Sequence, residues 1–304
     1  MLKTTVRRPT LIVITGPTAS GKSALAVDVA ERLGTEIISA DSRQIYRGIP
    51  IVTAMPTDEE RARVPHHLID MLPLDAYYSA AEFETDALRI GRRLLSERGT
   101  VVVCGGSMMY VDALCNGIDD LPTVPDGIRL GLKAELDERG TEWLLAELER
   151  LDPEYHAAVD RRNTKRVFHA VEIIRASGRT YSSLRTGVRK EREFNMLKIY
   201  LDGPRDVLFD RINRRVDAMV ATGLEQEAQR VYPLRHLNSL NTVGLKEMFA
   251  WLDGTMDRAT AIERIKKNTR VYAKKQITWR KRDNDYMRLD LSRADADAVI
   301  GLLD

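Results

Sequence analysis

The sequence predicts an α/β protein built on a parallel sheet. An apolar, β-branched run at residues 10–15 is followed by a helical pattern at 23–33 and by another short apolar run at 36–40. The alternation then repeats, with a helical stretch at 80–98 and an apolar run at 100–104. Strand–helix–strand alternation is typical of parallel sheets that carry helices on both faces.

The pattern changes after Gly117. Segments at 128–150 and 153–177 have helical patterns rich in arginine, and no strand candidate lies between them. The sequence KIYL at 198–201 then indicates a return to the sheet. These changes predict an α-helical insertion in the α/β core.

The predicted domain division places the insertion at residues 118–195 and the core at 1–117 and 196–304. Further helical patterns follow the insertion in the core, at 204–223, 224–231 and 258–282.

Composition excludes several classes of protein. The chain has 304 residues, of which 43% are hydrophobic and 30% charged, as expected of a globular domain. The two cysteines exclude a disulfide scaffold and a four-cysteine zinc site. Arg7 and Arg8 precede an apolar run, but Gly16 and Pro17 end it too early for a signal peptide or a membrane span. We therefore expect a cytoplasmic protein that makes no membrane contact, and we expect a monomer.

Charge is segregated along the chain although the net charge is only +2. Residues 264–282 contain nine basic and no acidic residues, and residues 161–192 contain ten basic residues against two acidic ones. The rest of the chain is correspondingly acidic. Such segregation favours a polyanionic partner, nucleic acid above all, although solvated helix faces would explain either run alone.

Residues 16–23, GPTASGKS, match the G-x-x-x-x-G-K-[ST] pattern of a phosphate-binding P-loop. The match lies between a predicted strand and a predicted helix, where backbone N–H groups and the helix N-terminus bind phosphate. Lys22 would add a full positive charge, and Ser23 would offer its hydroxyl to Mg²⁺. The predicted fold is thus a P-loop NTPase-like parallel sheet core with an α-helical insertion domain. The predicted phosphate-binding residues are Gly16, Pro17, Thr18, Ala19, Ser20, Gly21, Lys22 and Ser23.

A second motif limits the chemistry, which the P-loop alone leaves open among hydrolysis, phosphoryl transfer and diphosphate binding. Asp41 ends the second predicted strand, which we expect to neighbour the first, so that its carboxylate faces the P-loop. A helix N-cap and a magnesium ligand are its alternative roles. The strand at 101–104 ends in Cys-Gly-Gly, without the magnesium-binding Asp that is usual in P-loop hydrolases. This absence weakens an ATPase or GTPase interpretation.

The motifs together resemble the bacterial tRNA dimethylallyltransferases (tRNA isopentenyltransferases). The matching stretches follow the order of that family and cover nearly the whole chain. They are GPTASGKS at 16–23, ISADSRQIY at 38–46, PHHLID at 65–70, YSAAEF at 78–83, GGSMMY at 105–110, PDGIR at 125–129, NTKRVFHAVEI at 163–173, RVDAMVATGLEQE at 215–227, TVGLKEM at 242–248 and RVYAKKQITWRKR at 270–282.

The resemblance implies transfer of a dimethylallyl group from dimethylallyl diphosphate to N6 of the adenosine 3′ to the tRNA anticodon. The P-loop and Mg²⁺ would then hold the diphosphate leaving group, and Asp41 would accept the N6 proton. Ser107, where the family usually has Thr, would bond to Asp41 or N6. Arg211 and Arg215 would project towards the diphosphate.

A flipped adenosine also requires basic contacts to the anticodon stem-loop. Lys267, Lys274 and Lys281 recur every seven residues, with Arg270 beside them, and the Gln44 amide would read a base edge. The predicted tRNA-binding residues are Asp41, Ser42, Arg43, Gln44, Ser107, Arg129, Lys165, Arg166, His169, Thr242, Val243, Gly244, Lys246, Lys267, Arg270, Lys274 and Lys281. The positions predicted to form the core face of the last helix are Ile265, Tyr272 and Trp279.

Four further positions, besides Ser107, depart from the family pattern. His169 replaces a more usual Arg, which predicts a weaker or pH-dependent phosphate contact. Leu245 replaces a usual Tyr, which puts a stacking contact in doubt. Val52 and Met55 replace a Gly and a Lys, so Met55 removes a charge available to face tRNA.

Two other functions stay open on the sequence. An adenylate isopentenyltransferase that acts on free AMP would share the P-loop and Asp41 but would need no helical insertion. A P-loop small-molecule kinase would need an arginine-bearing lid, which the insertion resembles in composition. The histidines and cysteines show no metal-binding spacing, and we expect His66 and His67 to be structural.

Overall fold

The computed structural model describes residues 9–303, so that Arg7 and Arg8 lie outside the described residues. Contacts divide the chain into two compact units, residues 116–191 and the remainder of the chain on either side. The unit at 116–191, called the second unit below, starts two residues before the predicted start of the insertion, 118. It ends four residues before the predicted end, 195.

The strands and helices alternate in the first part of the chain as the sequence pattern predicts. The strands are β1 Thr10–Thr15, β2 Ile37–Ser39, β3 His66–His67, β4 Thr100–Cys104, β5 Asn195–Asp202 and β6 Met287–Asp290. The helices are α1 Lys22–Leu33, α2 Pro50–Thr53, α3 Asp58–Arg63, α4 Ala80–Arg98, α5 Met108–Asn116, α6 Asp126–Leu151, α7 Pro153–Ala158, α8 Thr164–Ser177, α9 Tyr181–Leu184, α10 Arg205–Ala221, α11 Leu224–Val231, α12 Leu245–Leu252, α13 Arg258–Arg280 and α14 Ala296–Ile300.

Within the described residues, six strands form one parallel sheet in the order β3-β2-β4-β1-β5-β6. The predicted α/β class is confirmed, but the prediction that β2 neighbours β1 is wrong, because β4 lies between them. Residues 101–104 of β4 are apolar and buried, which suits an interior strand covered on both faces. The carboxyl end of β4 therefore separates the P-loop from the end of β2.

Helices cover both faces of the sheet and bury its apolar side chains. On one face, Phe83 and Leu94 of α4 pack with Val101 and Val103 of β4. Helix α4 begins at a capping box in which Ser79 and Glu82 satisfy each other's backbone N–H groups. On the other face, α1 packs its apolar side chains against β1 and β4. These two layers fix the strand ends where the candidate site lies.

The second unit is a helical bundle with its own apolar core, which includes Leu132, Leu144 and Val167. The prediction of one helical segment over 153–177 is wrong, because α7 and α8 are separate helices and Asn163 caps the start of α8. Helix α6 is also interrupted, at Gly140, whose φ of 82° and ψ of 178° are not helical.

None of the helices in residues 9–303 combines the length and the apolar character needed to cross a membrane.

Candidate functional site

A cleft lies beside the P-loop and the ends of β2 and β4. Its volume is about 620 Å³, including space open to solvent. Predicted and unpredicted residues line it together, among them Lys22, Ser23, Asp41, His66, Arg215 and Tyr272. The arrangement places a cationic loop, a carboxylate and an aromatic ring around one space.

The P-loop connects β1 directly to α1. Gly21 caps the start of α1 with a φ of 87°, and Ala19 also has a positive φ, 64°. This left-handed backbone brings successive residues round to the helix N-terminus, which carries positive partial charge. Ser23 is exposed in the first turn and lines the cleft. The sequence-predicted loop thus has the backbone form that anion binding requires.

Two cationic side chains, Lys22 and Arg215, line the cleft together. Burial lowers the pKa of Lys22, and the nearby Arg215 guanidinium adds to that effect. Burial likewise lowers the pKa of Arg215. A bound anion would offset the cost of burying these two charges, because a nearby negative charge favours the protonated form of each group.

Thr18 of the P-loop is held from two helices that pack on each other, α10 and α13. Its backbone N–H donates to Oε1 of Gln276 on α13 at 2.9 Å. Its hydroxyl accepts a hydrogen bond from Nη1 of Arg215 on α10 at 3.0 Å. Arg211, one turn earlier on α10, is exposed and is not among the cleft residues. The structure therefore brings Arg215 to the P-loop and leaves Arg211 outside the cleft.

Asp41 lines the cleft at the end of β2. Its Oδ1 accepts hydrogen bonds from the backbone N–H groups of Arg43 at 2.9 Å and Gln44 at 3.4 Å. This turn orients the carboxylate from within its own loop. The role of Asp41 as a proton acceptor stays a prediction, and its side chain lines the same cleft as Lys22 and Ser23.

Ser107 is buried and does not bond to Asp41 as the resemblance suggested. Its hydroxyl accepts from the backbone N–H of Ser42 at 2.7 Å and donates to the Ser42 hydroxyl at 3.1 Å. These bonds hold the loop that carries Asp41, because Ser42 follows Asp41 directly. The structure thus supports a positioning role for Ser107 through that loop.

Gln44 and Arg43 are both engaged by the protein itself. The Gln44 side-chain N–H groups donate to the carbonyls of Thr53 and Ala54, and its Oε1 accepts from the Ser39 hydroxyl. Gln44 also lines the cleft, and its Oε1 can accept a second hydrogen bond, so the reading of a base edge by Gln44 stays a prediction. Arg43 likewise donates to backbone carbonyls in the 238–241 segment.

Two glycines after β4 let the neighbouring elements approach closely. A Cβ atom on Gly105 would lie 2.2 Å from the carbonyl oxygen of Ala40, in the loop that precedes Asp41. A Cβ atom on Gly106 would lie 2.4 Å from Nε2 of Gln276. The absence of side chains at the end of β4 is therefore what allows residues on either side of it to share one cleft.

Gly105→Ala should destabilise the fold, because the obstructing atom is backbone and cannot rotate away. We expect the free energy of unfolding to fall by about 3 kcal/mol, at the upper end of overpacking effects. Thermal denaturation measures the change. Gly91→Ala in α4 is the control, since its Cβ would meet only side-chain atoms at 4.0 Å. Equal melting temperatures for wild type and Gly105→Ala would contradict the close approach.

The predicted tRNA-binding segment at 242–246 contains a glycine with positive φ, Gly244, followed by a buried leucine, Leu245. Gly244 has a φ of 100°, and a Cβ there would lie 2.4 Å from Cγ2 of Val52. Leu245 is fully buried, so its replacement of Tyr affects the core and not an exposed stacking surface. Met55 is also buried and does not present an outward position for a charge. Thr242 and Val243 are half-buried, and Lys246 is exposed.

Helix α13 presents Lys267 and Lys274 to solvent, and Lys281 is exposed at the C-cap that directly follows the helix. Arg270 is half-buried, and its Nη1 donates to Oδ1 of Asn213 on α10. The prediction that Tyr272 is core is wrong. Its side chain is 37% exposed, lines the cleft and donates to the carbonyl of Gly106 at 3.4 Å.

The other two positions of the predicted core face, Ile265 and Trp279, differ in how deeply they are buried. Ile265 is buried, as predicted. Trp279 is half-buried, and its Nε1 donates to Oδ2 of Asp112 at 2.9 Å.

The second unit carries the other predicted tRNA-binding residues. Lys165 and Arg166 are exposed in the first turn of α8. Arg129 and His169 both bond to the buried Glu172, at 3.0 Å and 2.8 Å. These bonds lower the pKa of the Glu172 carboxyl against the opposing effect of its burial. The histidine at position 169 is therefore held by a hydrogen bond to the Glu172 carboxylate within the same helix.

The cleft residues that sequence reasoning missed include His66, Gln276 and Cys104, besides Tyr272. His66 was expected to be structural, and its Nδ1 does donate to the carbonyl of Val64 at 2.8 Å. Burial lowers the pKa of His66 and raises that of the Cys104 thiol to about 11. The end of the predicted strand at 100–104 could have marked Cys104, whereas no sequence signal marks His66, in a two-residue strand, or Gln276. No three His, Cys, Asp or Glu side chains in the described part of the chain are grouped to hold a metal ion.

This chain is similar to known proteins of one family over most of its length. The sequence profile of the family described as IPP transferase matches residues 44–283. The tRNA dimethylallyltransferase 1 of Phocaeicola vulgatus is 52% identical over 276 residues, which cover 91% of this chain and 92% of that protein. The tRNA dimethylallyltransferase of Cytophaga hutchinsonii is 43% identical over 90% of each chain.

Solved structures that are similar to this chain are also tRNA prenyltransferases. The tRNA isopentenylpyrophosphate transferase of Bacillus halodurans matches with a TM-score of 0.70 and 36% identity, covering 97% of this chain and 95% of its own. A eukaryotic dimethylallyltransferase acting on tRNA matches with a TM-score of 0.77 and 26% identity, over 93% of this chain and 74% of its own. The chain therefore belongs to the tRNA dimethylallyltransferase (tRNA isopentenyltransferase) family.

Proposed function

We propose that this protein transfers a dimethylallyl group from dimethylallyl diphosphate to N6 of the adenosine 3′ to the anticodon in tRNA. The observation that carries the proposal is the shared cleft, in which Asp41, Lys22 of the P-loop and Arg215 of α10 line one space. A carboxylate suits an acceptor that loses a proton, and the cations suit a departing diphosphate. Neither rival function, on free AMP or as a kinase, is favoured by the relatives found.

The reaction balances with the groups present. The N6 lone pair forms a bond to the allylic carbon, and the carbon–oxygen bond breaks with its electron pair passing to diphosphate. Asp41 takes the proton that N6 loses. The amine is a weak nucleophile because its lone pair is delocalised into the purine, so a placed base contributes about 10²–10⁴-fold to the rate.

The P-loop would stabilise the charge that develops on the leaving group. Its N–H groups and Lys22 are fixed before the reaction, so they need no reorganisation as charge develops. Mg²⁺ fits this site through the exposed hydroxyl of Ser23 together with oxygens of the diphosphate, since Mg²⁺ prefers oxygen ligands and substrate phosphates. When bound, the ion would neutralise charge on the diphosphate.

The basic surfaces would hold the tRNA while the adenosine is flipped. Lys267 and Lys274 are exposed on α13 and Lys281 at its C-cap, and the same helix brings Tyr272 and Gln276 into the cleft. The helical unit at 116–191 adds the exposed Lys165 and Arg166. The proposal includes a cytoplasmic location, because Cys104 and Cys115 are free thiols, and thiols stay reduced in that compartment.

Radiolabelled dimethylallyl diphosphate tests the proposal directly. The protein is incubated with the label and Mg²⁺ and is offered either bulk tRNA or AMP. Label in tRNA, located at the adenosine 3′ to the anticodon after nuclease digestion, is the expected result. Label in AMP would identify a free-nucleotide transferase instead, and label in neither acceptor would overturn prenyl transfer.

Replacing Lys267, Lys274 and Lys281 together by Ala should reduce the salt dependence of tRNA binding. Each lost phosphate contact lowers the slope of log K against log salt by about 0.7–0.9, so the triple variant should lose about 2. Titrations of tRNA at several salt concentrations measure the slope. Replacing the exposed Arg89, Arg92 and Arg93 of α4 by Ala is the control. Parallel slopes for the lysine variant and wild type would contradict the tRNA contact.

A further inference from the structure

The side-chain amide of Gln276 connects the two loops at the cleft. Its Oε1 accepts from the backbone N–H of Thr18 in the P-loop at 2.9 Å. Its Nε2 donates to the carbonyl of Gly106 after β4, also at 2.9 Å. The side chain lines the cleft and is only 5% exposed, so both bonds are largely shielded from water.

These partners require an amide at position 276. A backbone N–H must find an acceptor and a carbonyl must find a donor, and among uncharged side chains of this length only Gln supplies both. The partners also settle which end of the amide is oxygen. A carboxylate would keep the acceptor and lose the donor, and a thioether would satisfy neither partner well.

The surrounding structure is built around this amide. Gly106 lacks the Cβ atom that would approach Nε2 of Gln276 to 2.4 Å. Thr18 receives a second restraint from Arg215, through its hydroxyl. The Thr18 N–H is therefore directed towards α13, and the Ser20 N–H donates within the loop to the carbonyl of Pro17 at 3.1 Å, so the loop backbone is held from both sides.

We propose that Gln276 is a positioning residue for the leaving group, which acts by fixing Thr18 and Gly106 in the arrangement that receives diphosphate. The proposal rests on the transferase function proposed above and adds a residue to its diphosphate site. Gln276 lies on the helix with the exposed lysines, but this role concerns diphosphate and not tRNA. The two roles make different predictions for binding.

Gln276→Met removes both hydrogen bonds and keeps the length of the side chain. We expect the Kd for inorganic diphosphate with Mg²⁺, measured by calorimetry, to rise at least about tenfold, as for buried polar groups left unpaired. The Kd for tRNA should stay near that of wild type. Thr269→Val is the matched control on α13, because the Thr269 hydroxyl bonds only to the carbonyl of Ile265 on its own helix.

Gln276→Glu gives an independent measurement that does not depend on the Met variant folding. A protonated Glu offers an acceptor and a donor, as Gln does, whereas the carboxylate offers only acceptors and adds negative charge beside the diphosphate. The diphosphate affinity of this variant, as a ratio to wild type at the same pH, should approach one at low pH and fall as pH rises. The Kd of this variant for tRNA should not follow that profile, whereas a general loss of structure would weaken the binding of both.

The outcomes separate this proposal from the function on which it rests. Loss of diphosphate affinity in Gln276→Met but not in Thr269→Val, with the expected pH profile for Gln276→Glu, supports positioning. Unchanged diphosphate affinity in both Gln276 variants, while wild type labels tRNA, overturns positioning alone. A wild type that binds neither diphosphate nor tRNA overturns the proposed function and this role together.

Discussion

Asp41→Asn should nearly abolish prenyl transfer while the protein stays folded. The Asn oxygen can still accept from the backbone N–H of Arg43, as Oδ1 of Asp41 does at 2.9 Å, so the loop keeps its turn. The amide cannot take a proton from N6. We expect kcat at saturating substrates to fall by about 10²–10⁴-fold, the usual contribution of a general base. Single-turnover transfer to tRNA measures the loss.

Binding measurements complete this test. The Kd values for tRNA and for diphosphate should stay close to those of wild type, because proton acceptance and not anchoring is removed. Asp290→Asn is the matched control, since Asp290 also accepts from a backbone N–H two residues ahead but is exposed outside the cleft. A variant that keeps more than about a tenth of wild-type kcat would show that Asp41 is not the base.

The features predicted best from the sequence are those that a local residue pattern determines. The bounds of β1, α4, β4 and α11 agree with the predicted segments, because each is a continuous apolar or amphipathic run with clear ends. The P-loop and Asp41 could be found because their residue types follow strand ends. Strands β3 and β6 were missed, since β3 has two residues and β6 is mostly exposed, which leaves no apolar run to detect.

Contacts between distant parts of the chain could not be predicted in the same way. Gln276 meets Thr18 across 258 positions of sequence, and nothing in a basic helical stretch distinguishes that glutamine. The position of β4 between β1 and β2 is likewise a property of the assembled sheet. Tyr272 followed the spacing of a core face, but the cleft opens beside it and leaves the ring partly exposed.

Lys22→Met should lose most of the stabilisation of the leaving group. The variant keeps the apolar stem and removes the charge that lines the cleft beside Arg215. Removing one preorganised group of this kind costs about 10²–10³-fold in rate. We expect kcat to fall by this factor and the KM for dimethylallyl diphosphate to rise, with tRNA affinity unchanged. Lys133→Met is the control, because Lys133 is exposed and pairs with Asp137 within α6.

The pH dependence gives Lys22 a second signature. Burial lowers the pKa of Lys22, so the free enzyme loses this charge at a lower pH than an exposed lysine would. Bound diphosphate favours the charged form, so its affinity for wild type should decline on the alkaline side as Lys22 deprotonates. Lys22→Met should lack that decline, because nothing remains to titrate at position 22. Diphosphate titrations across pH measure both curves, and equal alkaline declines in the two proteins would mean that Lys22 does not hold the leaving group.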